Sequence, residues 1–106
     1  VHLRDNLPGQ MAKTTAFPCP IALSATWNTE LAGNYARCVG EECRAGGIEV
    51  LLGPGMNIYR ISQNGRNFEY FSEDPLISGE IAAALVSGIQ SQGVGACLKH
   101  FAVNNQ

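Results

Sequence analysis

The order of apolar and polar residues predicts helices that alternate with short buried strands. Residues 1–19 lack periodicity and contain several turn-forming prolines, so we expect irregular chain there. From the N-cap candidate Asn28, apolar residues recur with helical spacing up to Gly46-Gly47, which predicts a helix over about 29–45. The next residues, 48–52, are mostly apolar and predict a strand buried on both faces, as in parallel sheets. The expected buried face of the helix consists of Leu31, Tyr35, Cys38 and Val39.

A second helix and strand follow after a long segment without a regular period. We call residues 53–73 the site loop, because a loop of this length in a compact domain usually has a functional role. Asp74 and Pro75 then predict a helix start, with Asp at the N-cap and Pro at the first helical position, and Gly93 predicts its end. A second buried strand is expected at 96–101. The expected apolar stripe of this helix consists of Leu76, Ile77, Ile81, Ala84, Leu85, Gly88 and Ile89.

A helix that connects two such strands makes them neighbours in a parallel sheet, with a right-handed crossover. The predicted fold class is therefore α/β, with parallel strands and flanking helices. The composition agrees, since 106 residues with 45% hydrophobic and 15% charged residues suit one small globular domain. The chain opens on Val1 and stops soon after the second strand, so we interpret it as an internal piece of a longer protein.

Charge and hydropathy exclude two classes of partner. The formal net charge is −2 and the seven basic residues are scattered, so we expect no nucleic-acid partner. No apolar run approaches the roughly 20 residues that a transmembrane helix needs, so no membrane span is predicted. Compartment and oligomeric state stay open at this point.

Metal and cofactor signals are also missing from the sequence. The four cysteines form no CxxC pair and have no paired histidines, so we predict free, buried thiols and no metal site. No glycine-rich turn joins a strand directly to a helix, which disfavours a nucleotide-binding domain and leaves no cofactor to predict. No motif that contains a catalytic nucleophile is present either.

The candidate chemistry lies in two segments. The site loop carries Arg66 among aromatic and acidic residues, and Lys99-His100 stands at the end of the second strand. Ligands of parallel α/β folds bind beyond the carboxyl ends of the strands, so we expect both segments on one face. Arg66, Lys99 and His100 are the predicted ligand-binding residues, because their donors suit a polyhydroxyl ligand or a carboxylate. Candidate walls are Trp27, Tyr59, Phe68, Tyr70 and Phe71.

Each candidate also has a purely structural interpretation. Arg66 could form an ion pair with Glu69 or Glu73 that stiffens the loop, and Lys99 could belong to a structural salt bridge. His100 could be a core histidine. We interpret Asp74 as a helix cap only.

Three blocks of the sequence resemble glycoside hydrolase family 3. Residues 51–58, 65–75 and 93–106, in this order, look like the N-terminal catalytic barrel of that family, in particular of its β-glucosidases. The resemblance implies that residues 1–106 are part of a single partial (β/α)8 TIM-type barrel domain, incomplete at both ends. It also implies retaining hydrolysis of terminal, non-reducing β-D-glucosyl residues.

The resemblance assigns sugar binding to Arg66, Lys99 and His100, with a small-molecule glycoside or oligosaccharide as partner. In the family the nucleophilic Asp follows downstream and the acid/base Glu comes from a later domain, so no catalytic residue is expected in this chain. We therefore expect the isolated chain to be inactive and marginally folded.

Several alternatives remain open within the family. A β-xylosidase or α-arabinofuranosidase differs from a β-glucosidase by only a few sugar contacts. A non-catalytic carbohydrate-binding relative would keep the subsite and lack the carboxylates. The β-N-acetylglucosaminidase branch is disfavoured, because Ala102 to Gln106 replace its typical P-G-H-G continuation.

Overall fold

A computed structural model describes residues 14–105 of the chain. Residues 1–13, most of the segment predicted to be irregular, lie outside the described part. The elements in chain order are helix α1 (Pro20–Ser24), helix α2 (Thr29–Ala45), strand β1 (Val50–Leu51), a 3₁₀ turn (Asn67–Glu69), helix α3 (Pro75–Gln90) and strand β2 (Gly95–Ala96).

Helix α2 confirms the first predicted helix. The side chain of Asn28 accepts a hydrogen bond from the backbone N–H of Leu31 at 2.9 Å, which satisfies one of the donors at the helix start. The chain leaves the helix through Gly46, and Gly47 adopts a positive φ of 73° that glycine tolerates without strain.

The buried face of α2 differs from the predicted one. Leu31 is 44% exposed and Cys38 is also exposed, so the prediction was wrong for these two residues. The helix instead buries mainly small residues, because α3 packs closely against it. They are Ala32, Ala36, Val39, Gly40 and Cys43.

Helix α3 begins as the sequence predicts. Oδ1 of Asp74 accepts hydrogen bonds from the backbone N–H groups of Leu76 at 2.7 Å and Ile77 at 3.3 Å, which confirms the capping role of Asp74. Leu76 is nevertheless 69% exposed, so its assignment to the apolar stripe was wrong. The rest of the stripe faces the core, with Ile81, Leu85, Gly88 and Ile89 buried.

The two strands are parallel, as predicted, with Val50 paired to Gly95 and Leu51 to Ala96. Both strands are shorter than predicted. The ladder stops near Gly53-Pro54, where proline cannot donate a backbone hydrogen bond, and resumes as a single parallel bridge between Gly55 and Lys99.

Burial of the first strand on both faces was a wrong prediction. Val50 is 56% exposed and Leu52 is 63% exposed, whereas Leu51 between them packs against the core, so within residues 14–105 one face of the strand is covered. The cysteine prediction was half right. The four thiols are free, but only Cys43 is buried, and Cys38 and Cys97 are exposed.

Two further features complete the described part. Residues 21–25, a short apolar segment in the sequence, contribute to α1, and Ser24 Oγ donates a hydrogen bond to the carbonyl of Phe71 in the site loop. Among residues 14–105, no helix combines the length and apolar character that crossing a bilayer requires.

The contact between α2 and α3 depends on Gly88. A Cβ at this position would lie 2.5 Å from Ala36 Cβ and 2.7 Å from the carbonyl oxygen of Gly33. We expect Gly88→Ala to lower the free energy of unfolding by about 1 to 3 kcal/mol, because the two helices would have to move apart. Denaturant unfolding of the protein measures this change.

Gly79→Ala is the matched control on the same helix. Gly79 is exposed and a Cβ there would meet no atom within 4 Å, so alanine should stabilise the helix by up to about 1 kcal/mol. Equal effects of the two substitutions would contradict the close-packing account.

Candidate functional site

The side-chain amides of Asn57 and Asn64, on either side of the exposed residues 60–63, hold the site loop in place. Asn57 Nδ2 donates to the carbonyl oxygen of Asn104 at 3.0 Å, and Asn57 Oδ1 accepts from the backbone N–H of Asn104 at 2.6 Å. Asn64 Nδ2 donates to the same carbonyl at 2.9 Å. Both asparagine side chains are buried, so these bonds satisfy groups that would otherwise lack partners. The loop is thereby fixed to the segment that follows Lys99-His100.

Asn64 also fixes the start of the Arg66 region. Its Oδ1 accepts a hydrogen bond from the backbone N–H of Arg66 at 3.0 Å, and the 3₁₀ turn Asn67–Glu69 follows directly. The turn packs on Gly55, where a Cβ would lie 2.7 Å from the carbonyl oxygen of Glu69. A glycine is therefore required at position 55, where the chain forms its bridge to Lys99, for the turn to approach this closely.

Glu69 lies between two cationic side chains. Its Oε1 forms an ion pair with the guanidinium of Arg66 and lies 3.9 Å from Lys99 Nζ. The Glu69 side chain is only 16% exposed, whereas those of Arg66 and Lys99 are 46% and 30% exposed. The carboxylate thus lies beneath two cations that keep part of their surface open to solvent.

His100 contacts Tyr70, the residue that follows Glu69. The hydroxyl oxygen of Tyr70 is 2.7 Å from His100 Nδ1, and the two rings pack edge to face with centroids 5.8 Å apart. Burial raises the pKa of the Tyr70 hydroxyl, and the negative charge of Glu69 raises it further. The phenol therefore keeps its proton at neutral pH.

The structure brings together the three residues that the sequence selected. Two consecutive residues of the site loop, Glu69 and Tyr70, face two consecutive residues after β2, Lys99 and His100, and Arg66 joins the same carboxylate. Arg66 does pair with Glu69, as the structural interpretation predicted, and this pairing leaves the exposed part of its guanidinium available to a ligand.

The aromatic residues divide into two groups. Tyr70 and Phe71 are buried in the core and cannot form a ligand wall, so that part of the prediction was wrong. Trp27 and Phe68 are exposed and Tyr59 is half-buried, so these three stay candidates. The asparagines that hold the loop were not predicted, because their partner lies 47 residues from Asn57 along the chain.

An apolar cavity adjoins the site. It has a volume of about 100 Å³, and Glu69 and Lys99 are the charged residues on its wall. Within the described part of the chain, no group of three or more His, Cys, Asp or Glu residues is arranged to hold a metal ion.

Nearly the whole chain matches one known protein family. The family pattern described as "Glycosyl hydrolase family 3 N terminal domain" matches residues 2–105. The chain belongs to glycosyl hydrolase family 3.

Individual members of glycosyl hydrolase family 3 are similar along most of this chain. Thermostable beta-glucosidase B of Acetivibrio thermocellus is 56% identical over 92 residues, which are 87% of this chain and 12% of the relative. An exo-alpha-(1->6)-L-arabinopyranosidase of Bifidobacterium longum is 47% identical over 104 residues, covering 98% of this chain and 13% of that protein.

Solved structures of the family give the same result. Beta-glucosidase 3B from Thermotoga neapolitana, in complex with glucose, superposes with a TM-score of 0.88 at 55% identity, covering 97% of this chain and 14% of that one. The chain therefore spans only about an eighth of these family 3 relatives. Its fold is a small α/β part of this TIM-barrel-type family and not a full barrel.

Asn57 provides a test of the loop attachment. Asn57→Ala removes the partner of the Asn104 backbone N–H and one of the two donors to the Asn104 carbonyl, so we expect a loss of about 1 to 3 kcal/mol in the free energy of unfolding. Thermal or denaturant unfolding checks this.

The control is Asn34→Ala, on the exposed side of α2, which should change stability by less than about 0.5 kcal/mol. A loss no larger at Asn57 than at Asn34 would show that the amide bonds do not hold the loop.

Proposed function

We propose that the whole protein is a retaining β-glucosidase that hydrolyses terminal, non-reducing β-D-glucosyl residues. Residues 1–106 are then part of its N-terminal barrel domain and form part of the first sugar subsite. The observation that supports this most directly is the convergence of Arg66, Lys99 and His100 on Glu69 and Tyr70 at the carboxyl end of two parallel strands. Ligands bind at that end of parallel α/β folds.

The charge arrangement suits sugar hydroxyls. Glu69 compensates part of the positive charge of Arg66 and Lys99, which leaves N–H donors without a strongly anion-selective field. Hydrogen bonds from charged donors to hydroxyl oxygens are stronger than neutral ones and fix the ring in one orientation. His100 adds an imidazole ring whose nitrogens can form hydrogen bonds with hydroxyls.

The reaction itself needs groups that this site does not offer. Retaining hydrolysis uses two carboxyl groups about 5 to 5.5 Å apart, one as nucleophile and one as acid/base. Glu69 is engaged by two cations, and Asp74 caps α3. We assign the nucleophile and the acid/base to parts of the protein that follow this chain, in agreement with the family resemblance.

A pentopyranosidase is the second candidate. The similarity to an exo-alpha-(1->6)-L-arabinopyranosidase over 98% of the chain favours it. A pentopyranose lacks the hydroxymethyl group of glucose, and one such group is worth only about 1 to 3 kcal/mol of discrimination in a pocket. Comparing kcat/KM of the whole protein for aryl glycosides of glucose, xylose and arabinose separates the two candidates.

Substitution of the two cations tests the proposed subsite. In the intact protein, Arg66→Ala and Lys99→Ala should each lower kcat/KM for a chromogenic β-glucoside by an amount equivalent to about 2 to 3 kcal/mol, because charge-assisted bonds to the sugar are lost. Arg60→Ala, in the exposed part of the same loop, is the control and should leave kcat/KM unchanged.

Unchanged kinetics in both cation variants would refute the subsite. Glucose binding without any turnover by the intact wild-type protein would instead support a non-catalytic carbohydrate-binding relative.

The purified 106-residue chain should show no turnover of the same β-glucoside. Within residues 14–105, Glu69 is engaged by two cations, Asp74 caps α3, and only two strands of a barrel sheet are present. The intact protein at equal concentration is the positive control. Measurable release of the chromophore by the isolated chain would contradict the assignment of the catalytic groups.

A further inference from the structure

Tyr70 is buried beside the proposed sugar subsite without facing it. It is the largest fully buried side chain among residues 14–105, and its hydroxyl reaches His100 Nδ1 at 2.7 Å. The planes of the two rings meet at 84°, so the imidazole and the phenol pack edge to face. Because Tyr70 is enclosed by the core, it cannot contact a sugar directly. Its contact with Nδ1 bears instead on the orientation of the His100 ring.

The chemistry of imidazole gives this contact a consequence for sugar binding. A neutral imidazole has one N–H donor and one acceptor nitrogen, and the partner of one nitrogen decides the state of the other. A hydroxyl that donates to Nδ1 leaves the hydrogen on Nε2. Among the residues that the structure describes, none forms a hydrogen bond with Nε2 of His100, so this nitrogen is available to a ligand.

Glu69 favours the same assignment. Its carboxylate already accepts from Arg66 and faces Lys99, so its negative charge is compensated by two cations. The hydroxyl hydrogen of Tyr70 has Nδ1 as a well-placed acceptor at a normal O–H···N distance.

We propose that Tyr70 is a positioning residue that fixes the ring orientation and the tautomer of His100, so that His100 presents Nε2–H to a hydroxyl of the bound sugar. This inference rests on the proposed function, since it assigns a donor atom within the same subsite. It predicts that the hydroxyl of Tyr70 acts on sugar binding only through His100.

A double-mutant cycle on the intact protein tests this dependence. We expect Tyr70→Phe to lower kcat/KM for a chromogenic β-glucoside about tenfold, as for loss of one hydrogen bond. In a His100→Ala background the same substitution should cost less than about twofold, because the coupled partner is gone. A merely structural role of the hydroxyl would give equal factors in both backgrounds.

Tyr35→Phe is the matched control. The hydroxyl of Tyr35 donates to the carbonyl oxygen of Pro18 at 3.0 Å and has no contact with His100, so kcat/KM should stay unchanged. Thermal unfolding of each variant shows whether the Tyr70→Phe protein is folded.

A second pair of variants tests the tautomer without changing Tyr70. The side-chain amide nitrogen of His100→Gln can take the place of Nε2, whereas that of His100→Asn takes the place of Nδ1. We expect the glutamine variant to keep the higher kcat/KM, and this result would support the proposal even if Tyr70→Phe failed to fold.

The outcomes separate the two proposals. Three results would overturn the positioning role and leave sugar binding by His100 intact. They are equal factors in both backgrounds, an unchanged kcat/KM in Tyr70→Phe, and a higher kcat/KM for His100→Asn than for His100→Gln. A His100→Ala protein with unchanged kcat/KM would refute the subsite role of His100, and the positioning role with it.

Discussion

The backbone of Asn104 is the point on which the site depends. Its carbonyl accepts from Asn57 and Asn64, and its N–H donates to Asn57, so one residue connects both sides of the loop's outermost part to the segment after His100. Without these bonds, the loop would be held at its start by the backbone bonds from Met56 to Lys99 and from Ile58 to Ala102, and its outermost part would lose its attachment to this segment. Buried amide bonds are directional and costly to leave unmade, so they fix position as well as stability.

The site combines buried residues that support it with partly exposed hydrogen-bond donors. Glu69 and Tyr70 are mostly or fully buried and define where Lys99 and His100 stand, while the cations above remain partly exposed. This arrangement suits recognition of a neutral sugar, because a ring of hydroxyls requires precisely placed donors more than a strong electrostatic field. The candidate site residues lie on loops, and helices α2 and α3 contribute the packed core that supports them.

The sequence predicted the features that depend on neighbours in the chain. Asn28 and Asp74 cap their helices through bonds to residues two or three positions away, and such patterns are visible in any sequence. The alternation of helix and strand likewise predicted parallel pairing. The buried face of α2 was only partly predicted, because Leu31 and Cys38 fit the helical period but the close approach of α3 selects small residues instead.

For the site, Arg66, Lys99 and His100 could be selected because charged groups at strand ends are costly without a partner or a function. The particular pairing of Tyr70 with His100 could not be predicted, since it depends on how the 3₁₀ turn packs on Gly55. Burial of Tyr70 and Phe71 was missed for the same reason. An aromatic residue in a loop has no periodic pattern that reports which way it faces.

The spacing of the loop attachments has a consequence for how the protein can vary. Residues 60–63 form an exposed tip between Asn57 and Asn64, both of which are tied to the same peptide. In this tip the carbonyl oxygen of Ile61 accepts a hydrogen bond from Asn67 Nδ2 at 2.8 Å. A change in tip length that keeps this bond would leave the alignment of Glu69 and Tyr70 with Lys99 and His100 in place. A one-residue change after Asn64 would instead shift that alignment and place the phenol against the ammonium. A change of loop length at this one place can therefore reshape the exposed end of the loop while the candidate site groups stay in register.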